Sequence, residues 1–186
     1  IPDRDGDDVP DGEPQVLLDG FGNHANAHNL ANGFAWGPDG WLYGLNGVFN
    51  FSHVKYSPEN PNYKKDHPGW PLTVAMWRIN PRTREFEVYA EGTSNPWGIA
   101  INQEGSFFLS ACVIDHLWHI VEAGYYHRQA GPYPPHTWKI ESIVKHKHQK
   151  AAYCGITWFD SPAYPDKYNR TLYMGNIHGN CVNADK

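Results

Sequence analysis

The sequence predicts an all-β protein, a partial β-propeller of about two and a half to three four-stranded blades. Three observations lead there. With 18 glycines and 15 prolines in 186 residues, the chain favours many short strands joined by turns over long helices. A hydrophobic content of 40% and an aromatic content of 15% supply a folded core rather than a disordered chain. Finally, one order of elements recurs.

The repeat is visible in "NGFAWGPDGWLYGLNG" from Asn32, "WGIAINQEGSFFLSAC" from Trp97 and "CGITWFDSPAYPDKYNRTLYMGN" from Cys154. Each has a glycine, a short apolar strand, a turn or longer connection, and a second apolar strand ending in small residues. Gly33, Gly98 and Gly155 stand 65 and 57 residues apart. After the first copy, "VAMWRINPRTREFEVYAEG" adds a third strand, an Asn-Pro-Arg-Thr turn and a fourth strand. After the second, "DHLWHIVEAGYYHRQAG" repeats that pattern around an Ala-Gly turn. A unit therefore reads strand a, turn, strand b, long connection, strand c, turn, strand d. "QVLLDGFG" precedes the first unit as one outer strand, followed by two full blades and part of a third.

This divides the chain into an Asp-rich segment, 1–14, and a partial propeller, 15–186. A β-sandwich with unrelated hairpins is the competing fold. Closure of a propeller takes at least four blades, so the segment reads as a piece of a longer protein or an open half-ring. Its uncovered blade faces would favour association.

In such a unit the a–b and c–d turns lie at one end, and the b–c and d–a connections lie at the other, around the channel mouth. His24, His28, His53, His67, His116, His136, His146, His148 and His178 fall in or beside the mouth-side connections, and only His119 and His127 fall within strands. The turns "GPDG", "NPRT" and "NQEG" contain no histidine. Long loops on a rigid scaffold are where sites are built, so the asymmetry points to the mouth. His24 and His28 are four apart, but their Asn- and Gly-rich surroundings argue against a helical metal site. His146 and His148, with Cys154 beyond, read either as zinc ligands or as a solvated basic segment. Cys112, Cys154 and Cys181 form no CxxC pair, leaving one disulfide plus a free thiol as an option.

"DRDGDDVPDG" places Asp3, Asp5, Asp7 and Asp11 at alternating spacing around a glycine, a pattern of oxygen ligands suited to a structural calcium ion, with a carbonyl near Val9. It departs from the EF-hand loop, with Asp8 where glycine is expected and Pro14 where the bidentate glutamate should stand. The other reading is an acidic exposed tail. A net charge of −5 without a long basic run excludes an electrostatic case for nucleic acid. No apolar run approaches the roughly 20 residues needed to span a bilayer, so this segment is expected to make no membrane contact of its own.

The stretches "NHANAHNLANGFAWGPDGWLYGLNGVFNFSHV", "MWRINPRTREFEVYAEGTSNPWGIAIN", "ACVIDHLWHIVEAGYYHRQAG" and "PDKYNRTLYMGNIHGNCVN" resemble the propeller domain of the large membrane-bound dehydrogenases of planctomycetes. The resemblance covers nearly the whole chain. It implies an exported, periplasmic or cell-surface protein in which helical repeats and a c-type haem domain with a CxxCH motif follow the propeller. No CxxCH occurs here, so the haem would lie beyond Lys186. That family is in turn similar to the soluble glucose and sorbosone dehydrogenases, six-bladed propellers that hold pyrroloquinoline quinone over the channel mouth.

The resemblance implies a histidine base before the first "GPDG" hairpin, which falls on His28, with His24 as the reserve because the spacing to Gly33 is not identical. It also implies a cofactor-contacting Arg-Asn pair before a "PxG". Asn95 in "TSNPWG" matches the Asn, and Ser94 stands where the Arg should be. A serine hydroxyl is a much weaker stabiliser of developing negative charge than a guanidinium. His178 completes the cofactor-binding set.

The function expected from this is quinone-dependent oxidation of a sugar or sugar-derived alcohol, with electrons passed to the haem domain. Two alternatives remain. One is a non-catalytic carbohydrate- or protein-binding propeller, with Trp36, Trp41, Trp70 and Trp97 as stacking candidates. The other is a calcium-dependent lactonase-like propeller, whose channel metal needs carboxylates that are scarce in the mouth-side loops.

Overall fold

The computed structural model describes residues 1–22, 31–131, 137–146 and 152–186. The Asp-rich segment precedes the first strand, β1 (Leu18–Asp19). Strands β2 (Asn32–Trp36), β3 (Leu42–Asn46), β4 (Ser52–Tyr56), β5 (Trp70–Leu72), β6 (Ala75–Ile79) and β7 (Phe86–Thr93) follow. Next come β8 (Asn95–Ile101), β9 (Phe107–Cys112), β10 (Leu117–Ile120) and β11 (Tyr125–Arg128). The last are β12 (Tyr153–Phe159), β13 (Thr171–Asn176) and β14 (Cys181–Asp185). The all-β propeller architecture expected from the repeat is what forms.

The first blade is the antiparallel series β2-β3-β6-β7. Its turns close as their residues dictate. In "GPDG" the Gly40 amide donates to the Gly37 carbonyl at 3.0 Å, and Tyr43 Oη donates to Asp39 at 2.8 Å. In "NPRT" the Asn80 side chain accepts from the amides of Arg82 and Thr83 at 2.9 and 3.1 Å, an Asx turn that holds the bend without a strand ladder. Asn102 does the same in "NQEG", accepting from the Ser106 amide at 2.8 Å. The third blade contributes β12-β13-β14, also antiparallel.

Three features differ from the sequence expectation. The outer strand sought in "QVLLDGFG" is the two-residue β1, and it pairs with β4 instead of edging a blade. The long b–c connection of the first blade is itself folded: β4 and β5 make a hairpin that with β1 forms a separate three-stranded sheet. Its apolar residues Val54 and Leu72 pack with Trp77 and Phe86, so this insert covers one face of the first blade. Most consequential is the second unit, which among the described residues holds β8, β9 and β10. Its expected strand d, β11, leaves it and pairs in parallel with β7 of the first blade, Tyr125 opposite Glu91 and Arg128 opposite Thr93. The crossing is possible because Gly92 has no Cβ: the Tyr126 carbonyl occupies the position that one would take, at φ +108°.

Apolar cores lie between blades. Tyr43, Leu45, Met76 and Tyr89 of the first meet Phe107, Leu109, Trp118 and Tyr126, and Ala100 and Leu117 of the second meet Tyr153, Leu172 and Met174 of the third. The inner strands pack in series, β2 on β8 and β8 on β12. The repeated glycines are the contact points. Gly33, Gly98 and Gly155 have φ of +64°, +103° and +68° and each sits at a register break in its strand. A Cβ on Gly33 would lie 3.2 Å from the Gly98 nitrogen, and one on Gly98 would lie 3.0 Å from Gly155 Cα. Phe34, Trp36 and Val182 are left exposed on the outward faces of the first and third sheets.

Away from the mouth, Arg78 clamps the first two blades. Its guanidinium donates to Glu87 at 2.8 and 2.6 Å, to Glu122 in the 121–124 turn at 2.7 Å and to Tyr43 Oη at 3.2 Å, while stacking 4.7 Å from the Trp41 ring. Burial works against this charge, yet its hydrogen bonds to Tyr43 and Glu87 outweigh that and leave the guanidinium held more firmly protonated than usual. Arg78→Ala is expected to destabilise the protein by about 2–3 kcal/mol, since it strips charge-assisted bonds and leaves Tyr43 and the carboxylates without their cation. Urea denaturation checks this, and a loss below about 0.5 kcal/mol would show the clamp to be idle.

Candidate functional site at the channel mouth

The antiparallel order brings the ends of β3, β7, β9 and β13 and the starts of β6, β8, β12 and β14 to one end of the blades. Buried polar residues gather there: Asn46, Asn50, Ser52, Thr93, Ser94, His116, Arg128 and Asn176. Asn46 organises the first blade's exit. Its amide donates to the Asn50 carbonyl at 2.9 Å and also to the Thr73 carbonyl, while its Oδ1 accepts from Ser52 at 2.9 Å. This network fixes both ends of the inserted hairpin against the blade.

Ser94 is the single residue between β7 and β8 and is fully buried. Its hydroxyl donates to the Cys112 carbonyl at 2.7 Å and also touches the Gln129 side-chain amide. Asn95 opens β8 with its Oδ1 buried, as is that of Asn32 at the start of β2. His178 is exposed in the 177–180 turn between β13 and β14. His24 and His28 lie outside the described residues, as do His136 and His148.

A residue absent from the sequence expectation joins this end. Because β11 runs parallel to β7, Arg128 arrives opposite Thr93, one position before Ser94, and the Gln129 amide donates to the Thr93 carbonyl at 3.0 Å. Arg128 is 5% exposed; its guanidinium lies 5.0 Å from the Tyr125 ring centre and 3.7 Å from Glu91. A buried arginine thus stands at the same end of the blade as Ser94, 34 residues downstream of it in the sequence. A strand expected to close the second blade gave no signal for that placement.

The three cysteines are free. Burial first, and the neighbouring Cys154 second, push the Cys112 thiol above its ordinary value, so it holds less thiolate at a given pH. Cys181 is exposed. In iodoacetamide labelling at pH 8, Cys181 is expected to react at least tenfold faster than Cys112, which peptide mass mapping would read.

A second polar cluster lies between the second and third blades. His116 Nε2 is 2.8 Å from Asp185 Oδ2 and His146 Nε2 is 3.0 Å from Asp185 Oδ1. The sequence singled out His146 with His148 and gave no reason to pair it with Asp185. At the N-terminus, Asp3, Asp5 and Asp11 bring carboxylate oxygens within 4.8 Å of one another, while Asp7 is not of that group. Asp3 accepts from the amides of Gly6 and Asp8 at 2.8 and 3.2 Å, and Asp7 from that of Val9 at 2.8 Å, so the segment is a succession of Asx turns.

Of the stacking candidates, Trp36 is exposed and Trp97 half-buried. Trp41 lies beneath Arg78, and Trp70 packs among Tyr56, His67 and Phe86. Among the described residues, no helix is long and apolar enough to cross a membrane.

The sequence matches, over residues 1–186, the family described as "Domain of unknown function (DUF7133)". The chain belongs to this family. No curated protein matches it. Among solved structures, the DUF7133 chain is similar to the PQQ-bound form of an aldose sugar dehydrogenase from Streptomyces coelicolor, with 19% identity and a TM-score of 0.53. That likeness covers 82% of this chain and 44% of the other. It is also similar to an oxidoreductase of Thermus thermophilus described as a glucose dehydrogenase, at 19% identity and a TM-score of 0.50, covering 87% of this chain and 48% of that one. The chain thus spans less than half the length of each, and at this identity the likeness establishes the fold.

Proposed function

We propose that this chain is part of the propeller of an exported, quinone-dependent dehydrogenase that oxidises a sugar or a sugar-derived alcohol at the channel mouth. The observation that carries the reading is the parallel pairing of β11 with β7, which brings the buried Arg128 to the residues preceding Asn95. The similar Streptomyces coelicolor protein holds PQQ on the same fold, which supports the same cofactor here.

The donor set fits such a group. Pyrroloquinoline quinone is a planar, carboxylate-bearing anion, and a guanidinium with side-chain amides at the starts of inner strands is suited to hold it. When bound, the quinone supplies a hydride acceptor. His28 accepts the proton of the sugar hydroxyl as a general base, and His24 is its reserve. Asn95 would contact and orient the cofactor, and the Arg128 guanidinium would stabilise negative charge on its oxygens. Ser94, enclosed by Cys112 and Gln129, acts by fixing the chain ahead of Asn95. His178 stands at the rim. Residues 1–14 form an appended unit in which Asp3, Asp5, Asp7 and Asp11 serve a structural calcium ion, with 15–186 as the propeller segment. The electron-accepting partner is a haem domain elsewhere in the full-length protein.

The test is a quinone titration of the full-length protein with calcium present, followed by dye reduction with a panel of aldoses. Saturable binding with sugar-dependent reduction that falls about 10²–10⁴-fold in His28→Ala is the expected result. Absence of binding at high micromolar quinone would sink the reading. A second reading rests on Phe159, Tyr164, Tyr168 and Tyr173, which line an open aromatic cleft of about 410 Å³ beside the β12–β13 connection. Such a surface suits stacking against a sugar face, so glycan binding that survives loss of the quinone site but not Tyr164→Ala would favour a carbohydrate-binding propeller.

A further inference from the structure

We propose that His116, His146 and Asp185 form a binding site for a divalent transition-metal ion of the zinc class, fastening the second blade to the third. The three donors come from separate segments: the connection entering β10, the chain leading toward β12, and the last residue of β14. They nevertheless converge, with one ligand atom from each lying within 4.8 Å of the others.

Burial explains why a cation belongs there. The side chains of Asp185 and His116 are only 8% and 3% exposed. A carboxylate and an imidazole withdrawn from bulk water hold a divalent ion more strongly than the same donors in open solvent, because the lower local dielectric strengthens the attraction. The two imidazole nitrogens approach opposite oxygens of the Asp185 carboxylate, at 2.8 and 3.0 Å. Donors around tetrahedral zinc stand about 3.3 Å apart, given metal–ligand distances of roughly 2.0–2.1 Å, so an ion entering between these groups would replace the two hydrogen bonds and spread the donors.

The rings are also held in place. His116 stacks on Tyr153 with ring centres 4.9 Å apart and planes at 28°, and the His146 ring stands 5.2 Å from that of His116. Two imidazole nitrogens and one carboxylate select zinc-class ions over calcium or magnesium, which take oxygen ligands. His146, at 55% exposure, is the solvent side of the cluster, so ions enter past it and water fills the fourth position. His146 and Asp185 also line an open cleft of about 430 Å³, together with Lys145, Trp158, Arg170 and Lys186, which gives solvent access to the cluster.

The experiment uses full-length protein stripped of metal, saturated with calcium and free of quinone and sugar, so its result is independent of any dehydrogenase activity. Cobalt(II) serves as the optical probe and zinc as its competitor. The expected result is a tetrahedral cobalt spectrum displaced by zinc, with Tm raised by on the order of 5 °C at a hundredfold excess over Kd. His146→Ala and Asp185→Asn should each weaken binding about 10–100-fold and abolish the spectrum. The exposed His146→Ala is the decisive variant, because its metal-free Tm should match that of the parent. Absence of cobalt binding at micromolar concentration, or an affinity and spectrum unchanged in both variants, would overturn the site and leave a carboxylate held by imidazole hydrogen bonds alone.

Discussion

Gly98→Ala should destabilise the protein by about 4 kcal/mol or more, enough to leave it largely unfolded at 37 °C. Two costs combine. The backbone at φ +103° lies where an L-residue is strained by about 1–3 kcal/mol. The new methyl would then lie 2.9 Å from the Ile156 nitrogen and 3.0 Å from Gly155 Cα, and neither atom can swing away as a side-chain tip would. Relief requires β8 and β12 to part, which opens the core of Ala100, Leu117, Tyr153, Leu172 and Met174. Gly40→Ala is the control: its φ is also positive, at +78°, but nothing lies within 4 Å of its Cβ position, so only the backbone cost applies. Thermal unfolding of the two variants side by side separates strain from blade contact. Equal losses would mean that the inner-strand contact contributes nothing.

Arg128→Ala should lower kcat/KM for sugar-dependent dye reduction by about 10²–10³-fold, the scale seen when one preorganised donor to a developing negative charge is removed. Quinone affinity should fall with it. Because Arg128 also leans on Tyr125 and faces Glu91, part of any loss could come from a loosened β11. Arg128→Lys addresses that. It keeps a cation near Glu91 but loses the planar fork, so it should preserve Tm within about 1 °C while recovering only part of the activity. If Arg128→Ala binds quinone as tightly as the parent and turns over sugar at the same rate, Arg128 has no part in the reaction.

The two variants probe opposite degrees of legibility. Gly98 was marked by the sequence, since a glycine opening each apolar hairpin with the same sequel of elements is a repeat that a linear reading detects. The hairpins "GPDG" and "NQEG" and the Asx turns of the Asp-rich start were legible for the same reason. Turn chemistry and strand alternation are local, set by residues a few positions apart. Arg128 was not legible. "YYHRQAG" has the composition of a blade's fourth strand, and nothing in it states whether its partner is β10 or β7. That choice rests on Gly92 of β7, which leaves room for the Tyr126 carbonyl.

The cluster of His116, His146 and Asp185 was hidden by distance along the chain, 39 residues separating its nearest ligand from Asp185. In the sequence, His146 reads with His148 and Cys154, either as zinc ligands or as a solvated basic segment, and nothing singles out Asp185.

By itself, then, the amino-acid sequence determined that this protein is all-β and that it repeats a hairpin unit opened by glycine. Only the tertiary structure decided which strand completes which sheet, where a buried arginine stands, and which carboxylate meets which imidazoles. The physical reason is range. Strand alternation and turns follow from dihedral preferences and hydrogen bonds between near neighbours, whereas sheet partnership and polar clusters depend on long-range packing, in which a single missing Cβ admits one neighbour and excludes another.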